Sequence, residues 1–254
     1  MTEIPRILYQ IWIGPYDRPV EWMDSWKNAH PGWRYVILDN DFLNGRKWRL
    51  QPQMDEYLRR GDWAGVSDMM RYEVLLETGG IMMPADAVCL KPVDDLFTAS
   101  SAYVARENDI YCPESLSPVL AAPAGHPALA LAIEKISQIE PKQMATAWLT
   151  NGNLLMGYLA RLHPDFFTIL SSKVFVPRHY SGIFHIPDEN TYAFEHFGST
   201  GGKYDRSLSA GLRKFFDRQR KRRQARARRR AERRADPNAI PWLNMANWPD
   251  KPGS

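Results

Sequence analysis

Along the first ninety residues, apolar positions switch between strand-like runs and helix-like spacing. Ile4–Gly14 (IPRILYQIWIG) is an apolar run closed by Gly14-Pro15, which predicts a buried strand opening into a loop. Val20–Ala29 (VEWMDSWKNA) predicts a helix, stopped by His30-Pro31-Gly32. Trp33–Leu38 (WRYVIL) predicts a second strand that ends at Asp39-Asn40-Asp41. In Ala64–Thr78, Val66, Met69, Met70 and Val74 recur at three- and four-residue intervals, and Gly79 supplies a left-handed stop. Ile81–Met83 predicts a third strand, broken by Pro84. This alternation predicts an α/β domain with a mainly parallel central sheet. Ligands of such sheets bind beyond the carboxyl ends of the strands. Here those ends are Trp12–Gly14, Asp39–Asp41 and Pro84–Asp86.

The second half is less regular. Leu120–Pro127 predicts a loop, Pro127–Gln138 a helix, and Thr146–Leu162 a helix interrupted at Asn151-Gly152. Val174–Pro177 and Ile183–Pro187 are strand candidates, and His196–Gly202 is an expected loop. From Arg206 to Arg234 there is no Pro, and no Gly after Gly211, so a long basic helix is expected despite like-charge repulsion at i,i+4. Asp236–Ser254, with Trp242, Trp248 and four prolines, predicts an extended tail. The expected organisation is a domain over 1–205, a basic helical extension over 206–235 and a tail over 236–254.

Charge sharpens this division. The formal net charge of +4 hides 14 Lys/Arg and 2 Asp/Glu in 206–234, which leaves 19 basic and 27 acidic residues elsewhere. The body is mildly acidic and the extension strongly basic, as suits an anionic membrane face, an acidic protein or a nucleic acid. The extension lacks the interleaved aromatics that base stacking uses. Hydrophobic residues at 44% and charged residues at 24% exclude wholesale disorder. Cys89 and Cys112 provide no disulfide framework or zinc site and suit a reducing compartment. No apolar stretch is long enough to span a bilayer, and the first residues lack the pattern of a secretory signal. A cytoplasmic protein, peripheral at an anionic membrane face, is the expectation.

Candidate chemistry collects at the strand ends. Trp12 offers a face for stacking on a nucleobase, or a core side chain. Asp68 and Arg71 share a helix face at i,i+3, either as a solvated pair or as a clamp in which Arg71 donates to an anion and Asp68 accepts from hydroxyls. Asp86, after the third strand, suits a divalent cation that bridges a diphosphate. Asp39-Asn40-Asp41 is literally Asp-X-Asp, yet turn and helix-cap chemistry explains it equally well.

Together, IPRILYQIWIG, SWKNAHPGWRYVILD and SDMMRYEVLLETGGI with Asp86 soon after resemble the DXD-containing sugar transferases. These include fungal initiating mannosyltransferases, capsular-polysaccharide glycosyltransferases and, more distantly, glucosylating clostridial toxins. Shorter matches follow at AAPAGHP (121–127), TNGNLL (150–155) and YAFEHFGST (192–200). The resemblance implies a GT-A fold, a UDP- or GDP-linked sugar donor, Mn²⁺ or Mg²⁺, and transfer with retention to a glycan, lipid or protein acceptor, with 97–118 and 157–190, the least family-like stretches, as the expected acceptor loops. It implies donor contacts at Gln10, Trp12, Asp39, Ser67, Asp68, Arg71, Asn151 and Gly152. It further implies catalytic roles for Asp68, Arg71 and Asp86, and metal contacts for Asp86 and His196. The departures are specific. The motif reads Pro84-Ala85-Asp86, so its first carboxylate is missing; Glu195 stands where the family more often has His, and is a candidate to return that carboxylate. The alternative is a non-catalytic protein on the same scaffold, acting through the basic extension.

Overall fold

A computed structural model describes residues 3–179, 185–196 and 224–249. The expected loop beyond His196, the basic stretch up to residue 223, residues 183–184 of one strand candidate and the last five residues lie outside these. Strands β1 (Ile7–Ile11) and β2 (Arg34–Leu38) flank helix α1 (Val20–Ala29). Helices α2 (Asn40–Asn44), α3 (Gln51–Arg60) and α4 (Trp63–Thr78) lead to β3 (Gly80–Met82). Strands β4 (Ala87–Cys89), β5 (Ala102–Asn108), β6 (Cys112–Leu116) and β7 (Ala121–Ala122) follow. Then come α5 (Pro127–Ser137), α6 (Ala147–Thr150), α7 (Asn153–Leu162), β8 (Phe167–Leu170) and β9 (Ala193–Glu195). Residues 224–232 are helical. No helix of the described residues is long and apolar enough to cross a membrane.

The central sheet runs β2-β1-β3-β7-β5-β6, with β8 also on β5. β1 is parallel to β2 and β3. β7 is antiparallel to both β3 and β5, so β5 runs with β1, and β8 is parallel to β5. Five of the seven strands therefore point the same way, and β6 and β7 run against them. Alternate residues feed two layers, as the two-residue period of a strand requires. Tyr9, Met82 and Val104 face the layer built by α3, α4, α5 and α7; Leu8, Ile81 and Tyr103 face the layer closed by Trp26 of α1. A ribbon of β4 and β9 lies on that second side, where α1 packs on β4.

Helix α4 forms as its spacing predicts: Val66, Met69, Met70 and Val74 are all buried. It stops at Gly79, whose φ is +63° and where a Cβ would lie 2.6 Å from the Ala124 amide nitrogen, so only glycine fits. The interruption at Asn151-Gly152 separates α6 from α7; both amides bond the Ala147 carbonyl, at 3.2 and 2.7 Å. Helix α3 is absent from the sequence expectation because half of its inward face is polar. Gln53 donates to the Ser137 and Ile139 carbonyls, and Arg60 to those of Met144 and Ala145, beside Met54 and Tyr57. The strand candidate Val174–Pro177 is corrected: Ser172–Val174 is a 3₁₀ turn whose start is fixed by Ser171, and the strand is β8 just before it. The stretch 97–118, expected as an acceptor loop, holds sheet strands β5 and β6. Pro113 inside β6 disguised that hairpin.

The C-terminal segment completes the first layer. Ile240, Trp242 and Trp248 join its core, with Trp242 only 2% exposed. The Trp242 indole donates to the Leu149 and Thr150 carbonyls at 3.1 Å, and Trp248 donates to the Trp242 carbonyl. Trp242→Ala removes a filled core position and two carbonyl bonds at the α6–α7 break. The expected loss is about 3–5 kcal/mol, read as a fall in melting temperature on the order of 10 °C. A fall of less than about 3 °C in calorimetry would show the segment to be dispensable.

Candidate functional site

The turn after β3 is held from several directions. The fully buried Gln10 of β1 donates from Nε2 to the Pro84 carbonyl at 3.1 Å, while Tyr35 of β2 donates to Gln10 Oε1 at 2.5 Å. The Met83 amide bonds the Tyr9 carbonyl at 3.0 Å, extending the β1–β3 ladder to the edge of the turn. On the far side, the Trp26 indole donates to the Ala87 carbonyl at 2.8 Å. The Ser25 hydroxyl accepts from the Cys89 amide at 2.9 Å. Asp86 lies between these anchors and is partly buried, and its own carbonyl accepts from the His196 amide at 2.8 Å. Gln10, proposed from the resemblance as a donor contact, thus acts through the backbone of the Pro84-Ala85-Asp86 turn.

Register then brings the later residues in. In the β4–β9 ribbon Ala87 pairs with Glu195. Glu195 is pushed up to about 8, first by burial and then by Asp86 and Glu107, against the pull of Arg71. His196 stacks on Trp22 of α1, ring centroids 4.3 Å apart and planes 12° from parallel. Burial pulls Arg71 below its ordinary value, while Asp68, Tyr72 and Glu195 act the other way. Its Nη1 donates to the Val119 carbonyl at 3.2 Å and reaches the Met82 carbonyl at 3.4 Å, which aims the guanidinium across the end of β3. Asp68, one turn earlier on α4, is raised from 3.8 to about 7 by burial and by Asp62, against Arg71. A Cβ on Gly152 would lie 3.0 Å from Asp68 Oδ2, so glycine lets the start of α7 approach that carboxylate.

The other expected donor residues sit differently. Asn151 is fully buried and spent on structure: its amide oxygen accepts from Tyr57, its amide nitrogen donates to the Gly65 carbonyl, and its carbonyl accepts from Tyr72. Asn151 therefore sets where Gly152 lies. Asp39 is the N-cap of α2, accepting from the Phe42 amide at 3.1 Å, so the Asp-X-Asp triplet at 39–41 is cap chemistry at its first position. Asn40 is tied to Gly14 by a reciprocal pair of hydrogen bonds at 2.8 and 3.1 Å, which joins the ends of β1 and β2. The Trp12 indole donates to the Tyr16 carbonyl, and the Ser67 hydroxyl bonds the Trp63 carbonyl within α4.

Three participants escaped the sequence reading. Trp63 covers Gly14, its ring 2.9 Å from where a Cβ would be. Trp22 supports His196. Glu107 accepts from Ser115, Trp148 and Asn153 and faces His179 at 3.5 Å. Its signal was Arg106-Glu107, a charged pair at the end of an apolar strand, but that strand was itself unrecognised.

Asp68 and Glu195 both act on Arg71, and Asp86 and Glu107 act on Glu195, so carboxyl groups outnumber the one guanidinium. Such an excess matches a hard cation, which takes oxygen ligands. Among the described residues no three His, Cys, Asp or Glu side chains converge as a cation site. A cation held here would therefore complete its shell with oxygens from substrate and water.

The raised Asp68 has a thermodynamic consequence. The native state keeps a proton that the unfolded chain has already lost, so stability falls as pH rises from about 4 to about 7. Asp68→Asn is expected to flatten that dependence and raise the melting temperature at pH 8 by about 3–8 °C, with a smaller change near pH 5. Melting curves across this range check it, and an unchanged slope would refute the assignment.

Comparison with known proteins agrees with the geometry. Residues 17–103 match the family model for a glycosyltransferase sugar-binding region containing a DXD motif. The chain is 26% identical over 174 residues to inositol phosphoceramide mannosyltransferase 1 of Schizosaccharomyces pombe, covering 62% of this chain and 51% of that protein. It is 28% identical over 130 residues to an uncharacterized glycosyltransferase of Acanthamoeba polyphaga mimivirus, covering 49% and 52%. The chain thus spans about half the length of the relatives it matches. The solved structure of the PaToxG glycosyltransferase superposes with a TM-score of 0.53 at 15% identity, covering 65% of this chain and 72% of that one. Over residues 17–103 the chain is thus similar to the sugar-binding region of the DXD glycosyltransferases, on a GT-A-like α/β fold.

Proposed function

We propose that this protein transfers a sugar from a nucleoside-diphosphate sugar to an acceptor hydroxyl, with retention of configuration. The observation that carries the reading is that Glu195 interacts with both Arg71 and Asp86 at the carboxyl end of β3. The joined loops after β1 and β2, with Trp12 and Trp63, lie where the nucleoside of the donor belongs in this type of sheet. Arg71 offsets the charge that develops on the leaving diphosphate, which is usually the largest single catalytic contribution. Asp68 accepts from sugar hydroxyls, and Gly152 keeps the space beside it open. The acceptor oxygen bonds to the anomeric carbon on the face that the diphosphate leaves, and its proton passes to the departing phosphate oxygen. No protein base is required.

Asp86 and Glu195 are the groups that would hold Mn²⁺ or Mg²⁺, with His196 closing beside them. A bound cation supplies Lewis-acid neutralisation of the diphosphate. The acceptor is a glycan, a lipid or a protein; the mannosyltransferase relative acts, by its name, on inositol phosphoceramide.

Two measurements test the reading. Melting curves with UDP, GDP and their sugar conjugates, with and without Mn²⁺, should show one nucleotide raising the melting temperature by about 5 °C or more. Asp86→Asn and Arg71→Lys should each lower turnover at least about 100-fold. Near-normal turnover in both variants, or no response to any nucleotide, would overturn the proposal.

A further inference from the structure

Away from the donor site, the C-terminal helix over 224–232 and helix α3 enclose a cleft of about 780 Å³. Among the described residues its walls carry Arg59, Arg60, Lys142, Arg226, Arg230 and Arg234 against a single acid, Glu56. We propose that this cleft binds a compact ligand bearing several phosphate groups.

The acid is already engaged. Glu56 takes a two-pronged hydrogen bond from Arg59, at 2.9 and 2.7 Å. Arg60 is also engaged, on the Met144 and Ala145 carbonyls and over the Tyr57 ring, so it forms a fixed cationic wall. Lys142, Arg226 and Arg230 make no ion pair among the described residues. Arg226, Arg230 and Arg234 recur every fourth residue, so successive turns present them along one side. Ala227 and Ala231 lie beside them, and Ala231 is buried, which lets the helix sit close to the body.

Such a row of like charges repels itself, so something else must hold it in place. Gln224 donates to the Gly61 carbonyl at 3.1 Å, and Arg228 bonds Asp62 Oδ1 at 2.9 Å, where Asp62 is 3% exposed. Beyond the helix, Ile240 and Trp242 enter the core. The cationic face is therefore presented by a helix anchored at several points. Guanidinium forks match phosphate oxygens in pairs. The enclosed volume falls in the range of small-molecule sites. Among the described residues no aromatic side chain lines the cleft, which disfavours single-stranded nucleic acid as its occupant. A soluble polyphosphate and a phosphorylated lipid headgroup share the chemistry described, and the experiment separates them.

Titration calorimetry of the full chain with inositol hexakisphosphate, at about 150 mM salt, reads the soluble arm. Co-sedimentation with phosphatidylcholine vesicles containing phosphatidylinositol 4,5-bisphosphate reads the lipid arm. Arg226→Ala/Arg230→Ala should weaken binding at least about tenfold. Arg229→Ala/Arg233→Ala removes the same charge from the same stretch outside the cleft lining, and should cost less than about threefold. Binding in either arm with this difference supports the cleft and identifies the source. Equal losses in both double variants would show diffuse attraction to a basic helix and overturn the proposal, as would no binding of either probe at about 1 mM. Donor-induced melting shifts should be the same in both double variants, so failure of the donor reading and failure of this one remain distinguishable.

Discussion

The buried amide of Gln10 is the contact on which the geometry of the site depends. It spans from β1 to the Pro84 carbonyl and is itself fixed by Tyr35 of β2. Two parallel strands thereby determine where the chain leaves the third. Trp26 performs the matching task from the helix side at the Ala87 carbonyl. Between those points only Ala85 and Asp86 remain to be placed, and the position of the Asp86 backbone follows. A carboxylate on an unconstrained loop would lose ordering entropy on meeting a ligand; here folding has already met most of that cost.

Electrostatics explains why this arrangement is poised for a ligand. Asp68 and Glu195 act on Arg71 while Asp86 and Glu107 repel Glu195, and burial makes that repulsion harder to screen. The raised position of Glu195 records that cost, and that of Asp68 records its burial. A core organised only for stability would replace such a cluster with apolar side chains. Polar strain retained at the carboxyl end of a sheet, beside a glycine that clears space for it, is what a binding site looks like energetically.

The parts legible in the sequence were those with local causes. Helix α1 spans the residues its pattern predicts, α4 begins one residue earlier and stops at Gly79, and the break at Asn151-Gly152 separates two helices. Elements with non-local causes were missed. Helix α3 buries Gln53 and Arg60 against distant carbonyls, which erases its apolar period. Strands β5 and β7 lie inside the sheet and β6 at its edge, yet β7 has two residues and β6 contains a proline. Within the site, Asp68, Arg71 and Asp86 could be named from a motif resemblance, but Glu107 could not. It reaches the cluster through β5, a strand that pairing rather than pattern creates. Asn151 shows the converse: the motif marks its position, while the fold uses its amide to support the neighbour.

The loss of the first motif carboxylate at Pro84 can be weighed in the same terms. Proline contributes no side-chain ligand and no N–H, but this turn asks neither of position 84; it asks for a carbonyl, which Gln10 engages. Proline's fixed φ makes that carbonyl's direction easier to hold. The carboxylate missing from position 84 has a counterpart across the ribbon. Glu195 stands opposite Ala87, and its acidity responds to Asp86. Two carboxyl groups thus remain together at the end of β3, one from the turn and one from β9. The charge that the motif ordinarily concentrates in three consecutive residues is here divided between a turn and a strand. Its placement then depends on the β4–β9 register, and so on the Ser25 and Trp26 contacts that hold β4 to α1.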